Sequence, residues 1–141
     1  EAARRLGADL VLPAEDGKEV EAIMQATHHR GLDVTFETAG ENAAVETAVA
    51  TAKPGARVVL VGIPSDDLIS FKASTVRRKG LTIKMVRRMK LVYPRAIRLV
   101  QSGRIDIESL ISERFPFAQT QQAFEAAEKR NGIKVIVEFN V

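Results

Sequence analysis

The chain contains no cysteine and no tryptophan, and aromatic residues make up only 5% of its 141 positions. Without cysteine there are no disulfides and no thiolate metal sites, a composition that fits a reducing, cytoplasmic setting. No apolar run approaches a membrane span, and no signal-peptide pattern is present, so a membrane partner is not expected. Neither G-x-G-x-x-G nor a P-loop occurs, which removes the strongest sequence signals for phosphate. A net charge of +3 is too small to argue for nucleic acid by itself. Repeats and low-complexity linkers are also missing.

What is present is an ordinary globular composition, long enough for one domain with a sizeable core. The pattern centres on Arg57–Pro64 (RVVLVGIP). A short, β-branched, almost continuously apolar run predicts a strand buried on both faces, as in a parallel sheet covered by helices. Gly62 falls where such a strand leaves the sheet, and without a Cβ it would let a ligand approach the backbone. In open α/β sheets ligands bind outside the carboxyl ends of the strands.

In chain order, Ala2, Ala3 and Leu6 share a helical face that Gly7 stops, and Leu10–Leu12 reads as a short strand ended by Pro13. Helical spacing of Val20, Ile23, Met24 and Thr27 predicts a helix over 17–30 closed by Gly31. Asp33–Glu37 is a strand. A helix follows over 42–52, with Asn42 as its cap, and Pro54-Gly55 turns into the central strand. This alternation calls for right-handed crossovers and a parallel sheet. Beyond Pro64, Leu68–Phe71 reads as strand-like, and a basic turn leads to a strand over 81–86. Pro94 opens a helix with Ala96, Ile97 and Val100 on its buried face and Gly103 as its stop. Residues 105–117 read as irregular or extended, with Phe115-Pro116-Phe117 as an apolar anchor. The chain closes with a helix over 119–130, carrying Ala123, Phe124 and Ala127 on one side and ended by Asn131-Gly132, and a strand over 133–139.

No complete catalytic constellation emerges. His28 and His29 are adjacent, so on a helix their side chains diverge by about 100°, unlike metal ligands at i and i+4. They read as solvated residues near a helix end. Glu37, at a strand's carboxyl end, either serves a site or pairs with neighbouring backbone. Arg77–Lys90 (RRKGLTIKMVRRMK) carries seven positive residues and no acid. A nucleic-acid reading would use such a stretch for phosphate contacts, yet its apolar residues alternate like a strand and no aromatics interleave for base stacking, so a solvated turn and strand edge is the preferred reading and no nucleic-acid partner is expected. Lys134 reads either as a surface lysine or as a partner for an anion.

Several segments together resemble the C-terminal part of the zinc-dependent, medium-chain alcohol and polyol dehydrogenases. EAARRLGAD resembles the helix after the second strand of their nucleotide domain. LDVTFETAG and AKPGARVVLVGIP resemble their fourth and fifth strands. IKMVRRMKLVYPRAIRLVQSGRID resembles the sorbitol dehydrogenase branch, and ERFPFAQTQQAFEAAEKRNGIKVIVEF the closing segment. The resemblance implies a Rossmann-like α/β parallel sheet lacking its first strand, glycine-rich turn and second strand, with residues 1–87 the remainder of the dinucleotide-binding domain and 88–141 the segment that returns to the catalytic domain. It implies an enzyme that passes hydride between an alcohol or polyol and NAD or NADP, with NAD favoured. Val61, Gly62 and Ile63 match the backbone that holds the nicotinamide carboxamide; Thr38, Ala39 and Gly40 match the turn beside the cofactor ribose and adenine side. Arg88 matches an arginine near the nicotinamide ribose and substrate pocket, and Lys134 a basic residue directed toward the cofactor phosphates. Arg87 and Met89 stand where the family usually has aromatics flanking that arginine, a departure that bears on polyol specificity.

By the same resemblance the zinc ligands and proton relay would precede Glu1, so the chain is expected to be a piece of a longer protein that binds no zinc and is catalytically silent alone. Self-association is expected, through the segment matching Ile69–Phe71 or through an open sheet edge. The alternatives are a zinc-free quinone reductase or threonine-dehydrogenase-like relative, or a non-catalytic nucleotide-binding, regulatory module.

Overall fold

The computed structural model describes residues 1–14, 17–130 and 132–139. They fall into two compact units, Leu12–Arg88 and Glu1–Val11 with Met89–Val141.

The first unit is a three-stranded parallel sheet in the order β1 (Leu32–Glu37), β2 (Ala52–Leu60), β3 (Thr82–Met85). Helix α3 (Asn42–Thr51) connects β1 to β2, α4 (Ala73–Lys79) connects β2 to β3, and α2 (Lys18–Ala26) packs on α3. The core forms where Val45, Ala48 and Val49 of α3 meet Ala56, Val58 and Leu60 of β2, with Ile69, Phe71, Val76, Leu81 and Ile83 around them. Val58 is 0% exposed and Leu60 2%, and each such side chain contributes about 1.5–3 kcal/mol when removed from water.

β2 is not buried on both faces as its apolar run suggested. Its burial alternates, because α3 and α4 pack where Thr35, Glu37, Val58 and Leu60 point. The opposite face carries Phe36 (67% exposed), Arg57 and Val59. Pro54-Gly55 is not a simple turn before the strand. It lies inside β2 as an irregularity, where pairing jumps from Leu32–Ala52 to Val34–Arg57.

Two segments expected as strands, Leu10–Leu12 and Leu68–Phe71, are not strands. An apolar run supplies side chains for a strand, but the ladder comes from a neighbour. Neither run has one among the described residues. Ile69 and Phe71 instead pack on the core while Leu68 is 69% exposed. Conversely, the "basic turn" is the helix α4. Its Lys79 Nζ donates to the carbonyls of Val49 (3.1 Å), Ala50 (2.7 Å) and Ala52 (2.8 Å), satisfying backbone acceptors at the C-terminal end of α3. Lys79 is therefore a cap rather than part of a solvated charge run.

Helix α2 stops at Ala26, short of Arg30. The Thr27 hydroxyl donates to Ile23 O (2.9 Å) and accepts from the Gly31 amide (3.1 Å), folding the chain back on itself. His28 and His29 follow, exposed, at φ of 51° and 59°. Asn42 does not cap α3. It is already the first helical residue, and its Oδ1 accepts from the Ser70 amide at 3.0 Å.

The second unit contains α1 (Ala2–Arg5), α5 (Tyr93–Gln101) and a β–α–β element, β4 (Ile111–Pro116), α6 (Thr120–Glu128), β5 (Lys134–Glu138), whose strands pair in parallel. Residues 105–117 are thus partly regular, because β5 gives β4 a partner. Pro94 stands in the first turn of α5 as expected. Ala96 and Ile97 are exposed, however, and the half-buried residues are Leu99 and Val100. On α6, Ala123 is buried (3%) and Ala126 half-buried, whereas Phe124 (71% exposed) and Ala127 face outward. Phe117, the end of the apolar anchor, packs its ring 4.7 Å from that of Phe139. Asn131, expected to close α6, lies outside the described residues.

Candidate functional site

The parallel ladder brings the carboxyl ends of β1 and β2 side by side, with Glu37 opposite Leu60. Beyond them run the two segments matched to the cofactor, Thr38–Gly40 and Val61–Ile63. The Glu37 carbonyl accepts from the amides of Val61 (2.8 Å) and Gly62 (3.1 Å), which extends the hydrogen bonding past the end of β2. The Glu37 carboxylate turns the other way along its own chain and accepts from the Gly40 amide through Oε1 at 2.7 Å. β3 adds a third carboxyl end, since the Val86 amide donates to Leu60 O at 2.9 Å.

Two glycines make this arrangement possible. A Cβ on Gly62 would lie 2.6 Å from both Gly40 Cα and Glu37 Oε2; one on Gly40 (φ +78°) would lie 2.6 Å from Ile63 O. The space that Gly62 leaves is thus filled by the protein's own backbone and carboxylate. This corrects the sequence-based reason for Gly62: on that side the close approach is by Gly40, not by a ligand. Val61 (40% exposed) and Ile63 (67% exposed) stay open at the sheet edge. The Val61 carbonyl and Ile63 amide make no backbone hydrogen bond among the described residues. An exposed acceptor and donor at a fixed strand end suit a ligand amide, so these residues fit a carboxamide-bearing cofactor.

Thr38 and Ala39 are exposed beside this edge, and Arg88 is exposed just beyond β3. The structure therefore brings seven of the eight matched residues to the carboxyl side of one sheet. Lys134, exposed at the start of β5, belongs to the other unit. Among the described residues, no group of three or more histidine, aspartate or glutamate side chains is placed to hold a metal ion. No helix there is long and apolar enough to cross a membrane. Sequence reasoning left the role of Glu37 open and passed over Lys79. The signal for Glu37 was a carboxylate two residues before an alanine–glycine pair at a strand end; for Lys79 the surrounding arginines hid it.

Parallel strands, helical crossovers and a glycine-dependent carboxyl edge define an incomplete Rossmann-like α/β sheet. A family model described as zinc-binding dehydrogenase matches residues 1–102, and the chain belongs to that family. Sorbitol dehydrogenase of Bacillus subtilis is 32% identical over 139 residues, which cover 97% of this chain and 39% of the relative. A putative D-xylulose reductase of Rhizobium meliloti is 40% identical over 107 residues, covering 76% of this chain and 31% of the relative. Among solved structures, alcohol dehydrogenase TADH from Thermus sp. ATN1 superposes with a TM-score of 0.86 at 25% identity, over 98% of this chain and 40% of that one. The matches thus span between about three tenths and two fifths of the length of these proteins.

Proposed function

We propose that this chain is the cofactor-holding part of an NAD(P)-dependent alcohol or polyol dehydrogenase and is catalytically silent by itself. The observation that carries the reading is the Glu37–Gly40–Gly62 crossing, which fixes an open strand end at residues 61–63 in a member of the zinc-binding dehydrogenase family. When bound, the nicotinamide accepts or gives the hydride exchanged with the alcohol carbon. The chain's own residues bind and orient: Val61–Ile63 offer backbone groups to the carboxamide, Thr38–Gly40 border the ribose, and Arg88 supplies positive charge. No metal ligand set occurs among the described residues, so no step through zinc is assigned to them. In this reading residues 1–87 belong to the dinucleotide-binding domain and 88–141 return to the catalytic domain. NAD is the favoured cofactor and the setting cytoplasmic, with a homo-oligomer as the working state.

The test is titration of the chain with NAD, NADP and ADP-ribose, followed by the backbone amide resonances. Shifts at Val61–Ile63 with NAD and not with ADP-ribose are expected, since ADP-ribose lacks the carboxamide. Equal shifts with both, or none at these residues, would overturn the assignment.

A further inference from the structure

Glu37 meets the site through three atoms. Its carbonyl oxygen receives the Val61 and Gly62 amides, its Oε1 receives the Gly40 amide, and its Oε2 lies where a Gly62 side chain would start. The residue is only 3% exposed, and Oε2 has no hydrogen-bond partner among the described residues. Leaving a carboxylate oxygen buried without a donor is unfavourable, and an apolar residue at this place in the strand would avoid it. The side chain therefore has a task there other than packing. What it does is visible in the geometry: it reaches forward along its own chain and ties the Thr38–Gly40 turn down against the end of β2.

We propose that Glu37 is the positioning residue for the cofactor-facing backbone, acting through reach rather than charge. By holding Gly40 N–H it keeps the Gly40 backbone against Gly62 and Ile63, and so sets the direction in which the Val61 carbonyl and Ile63 amide face. The inference rests on the cofactor reading above and extends it to a residue that does not itself touch the cofactor.

Two substitutions separate reach from charge. Glu37→Gln retains the length and an acceptor oxygen for Gly40 N–H while losing the charge. Glu37→Asp retains the charge but is one methylene too short. In the 141-residue chain, amide hydrogen exchange is compared at the hydrogen-bonded edge amides of Gly40, Val61 and Gly62 with exchange at Val58 in the core of the same sheet. Loss of one hydrogen bond predicts exchange about tenfold faster at the three edge amides in Glu37→Asp, with Val58 little changed and Glu37→Gln near the unsubstituted chain. The ratio of NAD to ADP-ribose affinity falls in Glu37→Asp and recovers in Glu37→Gln.

Glu37→Asp behaving like the unsubstituted chain would overturn the proposal. So would Glu37→Gln loosening the edge as much as Glu37→Asp, or an equal rise at Val58. Failure of the unsubstituted chain to bind NAD would defeat the cofactor reading alone, because the exchange comparison decides the role of Glu37 without any ligand.

Discussion

At the scale of single residues, side chains in this chain act mostly on backbone groups. Thr27 folds the end of α2 back, Glu37 secures a turn, and Lys79 closes α3. Asp33 differs, being held by other side chains. It pairs with Lys53 and with Arg30 Nη2 at 3.0 Å, and the hydrogen bonds from Lys53 and then Arg30 hold its carboxyl below the ordinary aspartate range. A carboxylate whose folded value lies below its unfolded one adds stability above the unfolded value and loses it as pH falls through the folded one. The Asp33→Asn variant should therefore show a flatter dependence of Tm on pH on the acid side, with the two proteins converging as the pH is lowered. Thermal scans from neutral pH into the strongly acidic range would check this; parallel curves would mean that Asp33 contributes nothing. Because Asp33 is exposed, the difference will be small and will shrink in salt.

At the scale of elements, the crossing of the β1 and β2 ends is the feature most sensitive to substitution. Gly62→Ala places a methyl group 2.6 Å from Gly40 Cα and Glu37 Oε2, where neither backbone can yield without moving a strand end. Overpacking of this kind costs about 1–3 kcal/mol, so Tm should fall by several degrees. Gly55→Ala is a fair comparison, because nothing lies within 4 Å of that Cβ and only its φ of +75° opposes the change. An equal or smaller loss for Gly62→Ala would show that the crossing is soft. Much of this architecture was legible in the sequence, since the α–β–α–β rhythm over 18–60 depends on local signals such as apolar runs and glycine stops. What escaped were properties set by neighbours. Leu10–Leu12 and Leu68–Phe71 have strand-like side chains without a ladder to join. Ala73–Lys79 has helical geometry behind a charge pattern that reads as a turn. The site was legible to the same degree: Gly62 stands at the strand end, but its reason is the Gly40 backbone, and a contact between residues 22 positions apart leaves no periodic trace.

At the scale of the whole molecule, the sheet of the first unit carries α3 and α4 on one face and shows Phe36, Arg57 and Val59 on the other. β1 also has one unpaired edge among the described residues. Exposed apolar surface beside an open edge favours association. Sedimentation velocity over a range of concentrations should show dimers or larger species that weaken in Phe36→Asp; a clean monomer at high micromolar concentration would rule this out. Lys79 has a consequence for protein chemistry as well. Its amine, engaged by three carbonyls from α3 and the start of β2, is shielded from acylating reagents while the first unit stays folded. Burial also holds it below the ordinary lysine range, which by itself favours the reactive free amine, so the protection rests on the three carbonyls and ends when they let go. The extent of labelling at Lys79, read by mass spectrometry against the exposed Lys129, is thus a covalent clock for the opening of the first unit.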